Sequence, residues 1–420
     1  MEKIKIIGNH NLQLEGKVKI SGAKNAVLTA IAASLLTREK IRLKNIPLVK
    51  DVFTILTLMK ELGASYHVRK NTLSIQVKDI SSYEASYELV RAMRASILVL
   101  GPLLARYGKA VVALPGGCAI GSRPIDLHIH GLEKLGARIT LEHGYIKAEA
   151  TKLGGAEIEF EKKTVGGTEN LLMAASLAQG ETILKNCALE PEVSNLSELL
   201  IKMGAKIDGV GEEKIRIRGV EELGGAIHEI IPDRIEAGTF LIAGALTKSD
   251  IILTNVEPSH LNTVIEKLRY SGAKIERIRN HTLRVIGSPE IKSQDITTSP
   301  YPGFPTDMQA QFMLLMTQPS ETSIITETIF DRRFSHVNEL LRLGASIEVS
   351  GDKVLVRGKT LLSGAETIAT DLRASASLIL AGLIASGETI INDVEHLDRG
   401  YENIEGKLRS LGARIERIRE

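Results

Sequence analysis

A Gly-Ala pair that follows Leu, Met or Ser and precedes an apolar-polar alternation occurs six times along this 420-residue chain. Its glycines are Gly63, Gly136, Gly204, Gly272, Gly344 and Gly412, and they are separated by 68 to 73 residues. A fixed period of this kind indicates one supersecondary unit used six times. Because the period is longer than that of ordinary solenoid repeats, we expect each copy to be a small α/β unit in its own right.

All six copies predict the same order of elements when they are read in phase. An apolar helix comes first, then a strand, then an amphipathic helix that ends at the Gly-Ala pair, and in most copies two alternating strands. The apolar helices are predicted at 23–36, 91–106, 167–178, 235–246, 308–316 and 372–385, and the strands after them at 40–43, 110–114, 182–185, 251–254, 323–326 and 389–392. Helices that are apolar nearly all round are expected to be buried on every side.

The sixth copy lacks its last strand, and the other end of the chain offers a candidate. Residues 3–8, Lys-Ile-Lys-Ile-Ile-Gly, resemble the closing strands of other copies. We therefore expect residues 1–21 to complete the C-terminal domain, with crossings between domains near Gly22 and Pro232. The prediction is an α/β fold of two three-unit domains, 22–231 and 1–21 plus 232–420, joined by a double crossover hinge with a cleft between them.

Composition narrows the class of protein. Lys and Arg number 53 against 51 Asp and Glu, so the global basic field that supports non-specific nucleic-acid binding is missing. The N-terminus shows no signal-peptide pattern, and the longest apolar runs are about half the ~20 residues that a bilayer span requires. We predict a cytoplasmic protein without a membrane span or a nucleic-acid partner. Two cysteines without metal-ligand spacing predict no disulfide and no zinc site.

One of the two cysteines lies where chemistry is expected. Residues 115–126 read Pro-Gly-Gly-Cys-Ala-Ile-Gly-Ser-Arg-Pro-Ile-Asp, which places Cys118 in a glycine-rich segment five residues before Arg123. Free cysteine is most often a small buried hydrophobe, but such a residue has no need of three neighbouring glycines. We predict a mobile loop that presents the thiol to a phosphorylated substrate. Cys187 lies in a strand-like apolar stretch and is predicted to be structural.

Charged residues occur at or near the starts of the apolar helices, where a buried α/β unit has no need of them. Lys24, Arg94, Asp307 and Arg373 hold these positions, and Arg333 and Arg399 follow strands of other copies. Helix N-termini favour bound anions, and the arginine fork suits phosphate and carboxylate groups. Each could instead be an ordinary surface or salt-bridged residue; together they indicate anion recognition.

Six motifs carry a resemblance to a known family over the whole chain. They are Ser-Gly-Ala-Lys-Asn-Ala at 21–26, Pro-Gly-Gly-Cys-Ala-Ile-Gly at 115–121, Arg-Pro-Ile-Asp-Leu at 123–127, Phe-Pro-Thr-Asp-Met-Gln-Ala-Gln at 304–311, Thr-Asp-Leu-Arg-Ala-Ser-Ala-Ser at 370–377 and Asp-Arg-Gly-Tyr at 398–401. The chain thereby resembles the UDP-N-acetylglucosamine 1-carboxyvinyltransferase family. The resemblance implies two inside-out α/β domains and transfer of enolpyruvyl from phosphoenolpyruvate to the 3-hydroxyl of UDP-N-acetylglucosamine, with release of phosphate. That reaction is the first committed step of peptidoglycan synthesis.

The resemblance also implies roles for residues. Phosphoenolpyruvate is expected at Lys24, Asn25, Arg123 and Arg399. UDP-N-acetylglucosamine is expected at Asn25, Arg94, Arg123, Pro124, Ile125, Asp126, Leu127, Lys162, Lys163, Thr164, Val165, Asp307 and Ile329, with Arg94, Arg123 to Leu127 and Lys162 to Val165 around its diphosphate and uracil. Arg333 and Arg373 are expected to line the same cleft as electrostatic elements. Catalysis is expected from Cys118, Asp307, Lys24 and Arg399. Neither a metal nor another cofactor is expected, because the Lys and Arg set neutralises charge.

The chemistry fits these residue types. A thiol with a reference pKa of ~8.5 is mostly protonated at neutral pH yet can give up its proton, so Cys118 suits protonation of the methylene carbon. Asp307 suits the removal of the sugar hydroxyl proton, or else only positions that group. The thiol could also add covalently to the enolpyruvyl carbon, as the family implies.

Two alternatives stay open at this point. One is the sister transferase that acts on shikimate 3-phosphate, which shares the repeat architecture but is not expected to carry the Cys118 loop. The other is a non-catalytic scaffold or nucleic-acid binder built on the same repeat, against which the balanced charge and the retained Lys24, Cys118, Asp307 and Arg399 argue.

Overall fold

A computed structural model describes residues 2–114 and 125–419 of the chain. Its strands are β1 (Glu2–Gly8), β2 (Glu15–Lys19), β3 (Lys40–Lys44), β4 (Ser65–Arg69), β5 (Thr72–Gln76), β6 (Glu84–Ala85), β7 (Lys109–Ala113), β8 (Arg138–Glu142), β9 (Tyr145–Glu149), β10 (Glu157–Glu159), β11 (Glu181–Lys185), β12 (Lys206–Asp208), β13 (Lys214–Arg218), β14 (Ala226–Glu229), β15 (Asp250–Thr254), β16 (Lys274–Arg279), β17 (Thr282–Ile286), β18 (Ile296–Thr297), β19 (Ser323–Thr326), β20 (Ser346–Ser350), β21 (Lys353–Arg357), β22 (Glu366–Ile368), β23 (Gly387–Asn392) and β24 (Ile415–Arg419). The α-helices are α1 (Lys24–Ala33), α2 (Lys50–Glu61), α3 (Tyr87–Ala92), α4 (Leu100–Tyr107), α5 (Asp126–Lys134), α6 (Val165–Ala175), α7 (Pro191–Lys202), α8 (Arg234–Leu246), α9 (Asn262–Tyr270), α10 (Gln309–Leu315), α11 (Val337–Arg342), α12 (Leu372–Ile384), α13 (Glu395–Asp398) and α14 (Ile404–Ser410). Short 3₁₀ turns cover Ser34–Leu36, Arg94–Val99, Pro258–Leu261 and Thr306–Met308.

The described strands form six four-stranded sheets with one shared topology. The orders are β14-β3-β5-β4, β6-β7-β9-β8, β10-β11-β13-β12, β2-β15-β17-β16, β18-β19-β21-β20 and β22-β23-β1-β24. In each sheet the closing strand lies between two antiparallel neighbours. One neighbour is the strand that follows the apolar helix, and the other is the strand that follows the Gly-Ala pair; in the first copy these are β3 and β4 on either side of β5. The sixfold repeat predicted from the sequence is confirmed.

Each sheet has a fourth strand that the sequence analysis missed. It lies at the edge, parallel to the strand after the apolar helix, as β10 does beside β11. These edge strands contain only two to five residues each. A segment of that length is too short to show the alternation that predicts a strand.

The apolar helices are buried on all sides, as predicted. Every residue of α8 from Ile235 to Leu246 is buried, and so is every residue of α12 from Arg373 to Ile384. The second copy departs from its prediction of one helix at 91–106, because Met93 is extended at φ −143° and ψ 110°. That residue separates α3 from a 3₁₀ turn and α4. No helix of the described residues is both long and apolar enough to cross a membrane.

The glycines of the repeat end the amphipathic helices. All six have φ between 95° and 109°, a range that favours glycine. The helix before Gly63 shows the expected pattern, since Val52, Ile55, Leu56 and Met59 are completely buried. These helix ends turn the chain into the paired strands that close each copy.

The described chain forms two compact units. The first unit contains residues 22–114 and 125–231, and the second contains residues 2–21 and 232–419. Each has its own hydrophobic core. β1 takes the closing-strand place of the sixth copy, antiparallel to both β23 and β24, which confirms the prediction for the N-terminal strand. The fold is α/β with three repeated units in each of two inside-out domains and two chain crossings.

The crossing segments also supply an edge strand to each unit. β2, just before the first crossing, is the parallel edge strand beside β15, and β14, just before the second, is the one beside β3. Within the second unit the backbone N–H of Asp233 donates to the carbonyl of Ser21 at 2.8 Å. Within the first unit Ala23 donates in the same way to Ile231 at 2.7 Å.

Candidate active site

A carboxylate held by two guanidinium groups is the main polar feature of the second unit. Nη2 of Arg333 donates to Oδ1 of Asp307 at 2.7 Å, and Nη2 of Arg373 donates to Oδ2 at 2.9 Å. The side chains of Arg333 and Arg373 are only 5% and 6% exposed, whereas that of Asp307 is 26% exposed. The carboxylate is thus the most accessible member of the group.

Local structure explains how these three side chains meet. Asp307 lies in the 3₁₀ turn that precedes α10, and Arg333 comes from the segment between β19 and α11. Arg373 is the second residue of α12, whose start is capped because Oδ1 of Asp371 accepts from the N–H groups of Arg373 and Ala374. The fifth copy of the repeat therefore contributes Asp307 and Arg333, and the sixth contributes Arg373.

The two arginines control the ionisation of Asp307. Burial alone would raise the pKa of its carboxyl group, but the charges and hydrogen bonds of Arg373 and Arg333 hold that pKa well below its usual range. Burial would also lower the pKa of Arg373, yet Asp307 raises it. The ionised form of Asp307 is therefore stabilised, and the carboxylate is a weaker base than an isolated one.

The arginines have further contacts. Arg373 lies over the ring of Tyr401 at 5.5 Å, and Arg333 lies over the ring of Phe330 at 5.3 Å. Among the described residues, Nη1 of Arg333 is buried and has no hydrogen-bond partner. That donor is available to an anionic or carbonyl group of a ligand.

The first unit contains a lysine and carboxylate pair of its own. Lys24 is the first residue of α1, and its Nζ lies 3.3 Å from Oδ2 of Asp51 in the first turn of α2. Both side chains are nearly buried, at 13% and 4% exposure. Asp51 was not predicted, although a charged residue on the buried face of an amphipathic helix was a visible signal. Asn25 follows Lys24 on α1.

The described residues expected around the diphosphate and uracil lie at or just before the starts of three helical segments. Arg94 begins the 3₁₀ turn before α4, Asp126 and Leu127 begin α5, and Lys162 to Val165 lead into α6. The hydroxyl of Thr164 caps α6 by accepting from the N–H of Gly167 at 3.2 Å. Ile125 precedes α5.

The amine of Lys163, just before α6, has structural contacts within the first unit. Its Nζ donates to Oε1 of Glu213 at 2.6 Å and to the carbonyl of Cys187 at 3.2 Å. Binding of a diphosphate by this amine would require it to leave at least one of these partners.

A buried His and Asn pair in the same unit was missed by the sequence analysis. Nδ2 of Asn170 lies 3.0 Å from Nδ1 of His128. Burial, with a smaller contribution from the charge of Arg94, lowers the pKa of His128 to about 4, so the ring is neutral. Sequence separation conceals such a pair, since its members are 42 residues apart.

Other predicted residues lie elsewhere in the described chain or outside it. Arg399 is at the end of α13, and the N–H of Ile329 donates to Oε1 of Glu327 at 2.8 Å. Cys118, Arg123 and Pro124 lie outside the described residues. Cys187 is completely buried, and burial raises the pKa of its thiol to about 12, which agrees with its predicted structural role.

The described residues contain no group of three or more His, Cys, Asp or Glu side chains that could hold a metal ion. Two of their ionic groups, the Asp307 group and the Lys24 pair, contain residues that were predicted for the site. Both combine guanidinium or ammonium groups with carboxylates, an arrangement suited to anionic substrates.

Comparison with known proteins identifies the family. Residues 9–408 match the family model described as EPSP synthase (3-phosphoshikimate 1-carboxyvinyltransferase). A UDP-N-acetylglucosamine 1-carboxyvinyltransferase of Koribacter versatilis is 57% identical, over 100% of this chain and 97% of its own length. One of Desulfosudis oleivorans is 54% identical, with 100% of both chains covered. The chain belongs to the UDP-N-acetylglucosamine 1-carboxyvinyltransferase family.

Solved structures agree with this family fold. The enolpyruvyl transferase NikO from Streptomyces tendae matches with a TM-score of 0.88 at 24% identity, over 99% of this chain and 98% of its own. EPSP synthase from Acinetobacter baumannii matches with a TM-score of 0.76 at 20% identity, over 100% of both chains. At such identities the likeness shows the fold alone. The much higher identity to UDP-N-acetylglucosamine 1-carboxyvinyltransferases separates this chain from the shikimate 3-phosphate branch of the enolpyruvyl transferases.

Proposed function

We propose that this chain is an enzyme that transfers the enolpyruvyl group of phosphoenolpyruvate to the 3-hydroxyl of UDP-N-acetylglucosamine and releases phosphate. The observation that carries the proposal is the 51–57% identity over its whole length to proteins named for that reaction. The product feeds peptidoglycan synthesis and thus cell-wall formation. A cytoplasmic location fits substrates of this kind, and the net charge of +2 gives no reason to expect a nucleic-acid partner.

The proposed reaction is an addition followed by an elimination. The sugar oxygen forms a bond to C2 of phosphoenolpyruvate while C3 takes a proton, which makes a tetrahedral intermediate. Loss of a proton from C3 and departure of phosphate then restore the double bond. We assign the proton donor to Cys118. Lys24, Arg123 and Arg399 would bind the phosphate and carboxylate groups of phosphoenolpyruvate.

Asp307 is proposed mainly as a positioning group for the sugar hydroxyl. Its pKa is held well below the usual range by Arg373 and Arg333 against the effect of burial, so it attracts a proton from a neutral alcohol only weakly. As the sugar oxygen bonds to C2, however, its attached hydrogen becomes strongly acidic. An ionised Asp307 that accepts a hydrogen bond from that hydroxyl can then receive the proton late in the addition.

The two units would act as the functional domains, 22–231 and 1–21 plus 232–420. Closure around the sugar nucleotide and movement of the Cys118 loop stay predictions. Correct placement of two reactants can contribute roughly 7 to 11 kcal/mol, against roughly 3 to 5 for general acid-base help. We therefore expect substrate placement to contribute more to the rate than the thiol.

The test is phosphate release from phosphoenolpyruvate with each of two acceptors. We expect release with UDP-N-acetylglucosamine and none with shikimate 3-phosphate. Release only with shikimate 3-phosphate would assign the chain to the sister activity, and release with neither would support a non-catalytic scaffold. Asp307→Asn preserves the shape of the side chain but removes its charge, and we expect it to lower kcat strongly.

A further inference from the structure

The three segments expected to bind the nucleotide are far apart in sequence, yet one buried side chain joins them. Asn170 lies on α6, about one and a half helical turns after Val165, and is completely buried. Its amide reaches the turn that Arg94 begins and the helix that Asp126 begins. The inference drawn from this contact rests on the proposed function, because the nucleotide residues are part of that proposal.

Both polar atoms of the Asn170 side chain have hydrogen-bond partners. Oδ1 accepts from the N–H of Gly101 at 2.7 Å, and Nδ2 donates to the carbonyl of Ile97 at 3.1 Å. Nδ2 also lies 3.0 Å from Nδ1 of His128. Because the N–H of Gly101 must face an oxygen, the orientation of the amide is fixed, and Nδ1 of His128 is the acceptor.

Close packing at Gly101 supports a specific fit. A Cβ atom added at Gly101 would lie 2.3 Å from Oδ1 and 2.5 Å from the backbone oxygen of Asn170. Such distances are too short for any side chain at that position. α4 therefore approaches α6 as closely as it does only because residue 101 is glycine, and the amide of Asn170 is held between the two helices.

The contact also selects one form of His128. With Nδ1 accepting, the neutral ring carries its hydrogen on Nε2. That nitrogen faces Gly166, since a Cβ atom added there would lie 3.4 Å from it. The start of α5 and the segment that enters α6 thus meet through His128, and Asn170 sets the orientation of the ring.

We propose that Asn170 is a positioning residue of the nucleotide subsite, which holds the segments of Arg94, of Asp126 and Leu127, and of Lys162 to Val165 in the register needed to bind a uridine diphosphate. Asn170 therefore affects the affinity for the sugar nucleotide and not the affinity for phosphoenolpyruvate. A residue that only stabilised the core would lower the melting temperature without this preference for one substrate.

The main experiment compares Asn170→Ala with a matched control, Asn195→Ala. Asn195 is a buried residue of the same unit whose Nδ2 donates to the carbonyl of Glu229 at 3.3 Å. For Asn170→Ala we expect the Kd and KM for UDP-N-acetylglucosamine to rise about tenfold, which corresponds to about 1.4 kcal/mol. The KM for phosphoenolpyruvate should stay nearly unchanged. Asn195→Ala should change the melting temperature but neither KM.

A second pair of variants covers the case in which Asn170→Ala does not fold. His128→Asn keeps an acceptor close to the place of Nδ1, whereas His128→Leu removes it. We expect the Asn variant to keep most of the nucleotide affinity and the Leu variant to lose it, in calorimetric titrations with UDP-N-acetylglucosamine. Equal affinity in these two variants would overturn the proposal, and so would an equal rise of both KM values in Asn170→Ala.

Failure of the proposed function would look different. The wild-type chain would then neither bind UDP-N-acetylglucosamine nor release phosphate in its presence. A wild-type chain that does both, together with Asn170 variants that affect stability alone, would reject only the role of Asn170.

Discussion

The N-terminal strand gives the sharpest test of the fold, because one chain segment contains both a buried position and its control. Ile6 on β1 is completely buried and pairs with Thr389 on one side and Ile415 on the other. Ile7, the next residue, points to the opposite face of the sheet and is 39% exposed. Replacing either by Ala leaves every proposed site residue in place.

The expected magnitude follows from the packing around Ile6. A Cβ atom added at Gly8 on the same strand would lie 2.0 Å from the backbone oxygen of Gly382 on α12, so the strand and helix backbones are already in close contact near Ile6. The cavity left by Ile6→Ala can collapse little, and the free energy of unfolding should fall by about 2 to 5 kcal/mol. For a unit of this size that lowers the melting temperature by roughly 5 to 15 °C. Ile7→Ala should change the free energy of unfolding by less than about 1 kcal/mol.

Thermal unfolding followed by circular dichroism measures both variants. Phosphate release at low temperature should be preserved in both, since the strand contains no proposed catalytic residue. Equal melting temperatures for Ile6→Ala and the wild type would refute the inference that β1 is a structural strand of the sixth copy. Deletion of residues 1–8 should have a larger effect in the same direction, because it leaves β23 and β24 without their shared partner.

Three further predictions concern the site. Cys118→Ser should lose nearly all turnover and Cys118→Asp should keep a measurable fraction with an acid-shifted optimum, whereas Cys187→Ser should be nearly silent; a comparable loss at Cys187 would mean that the wrong thiol was chosen. Arg373→Leu should raise the pKa of Asp307, because it removes a charge that lowers that pKa. The acid limb of the plot of kcat/KM against pH should then move to higher pH. An unmoved limb would mean that the ionisation of Asp307 does not control activity. The pKa of His128 is about 4 in the folded chain and near its ordinary value of 6.5 in the unfolded chain. Only the unfolded chain therefore takes up a proton at His128 as the pH falls from 6.5 to 4, and this lowers the free energy of unfolding. Urea unfolding measures this effect. Between pH 7 and pH 5 the free energy of unfolding should fall by about 2 kcal/mol more in the wild type than in His128→Asn. Equal falls in the two proteins would contradict the lowered pKa of His128.

The sequence predicted the repeat well because the repeat is local. The Gly-Ala pairs and the apolar helices recur at a fixed period, and each can be recognised within a dozen residues. The N-terminal strand was predictable for the same reason, since residues 3–8 have the alternation of the other closing strands. Edge strands such as β6, which has two residues, were not predictable because pairing with a neighbour defines them.

Asp307, Arg333 and Arg373 could be named as candidates from the sequence, but the pairing between them could not. Arg333 and Arg373 lie 26 and 66 residues from Asp307, and no local pattern indicates that both bind the same carboxylate. Asp51 and Asn170 were missed because their importance arises from partners elsewhere in the chain. Long-range hydrogen bonds between buried groups are a property of packing, which the periodicity of a single sequence does not record.

The repeat also explains why the charged residues occur where they do. Helices that are buried on every side can present polar groups only at their ends, and Lys24 and Arg373 are the first and second residues of α1 and α12. A charge that is nearly buried is costly without a partner, so each of these cations has a carboxylate beside it, Asp51 or Asp307. Their charge is therefore partly compensated before any substrate binds. We expect such cations to bind phosphate less tightly than isolated ones would, which favours release of the phosphate that the reaction must discard.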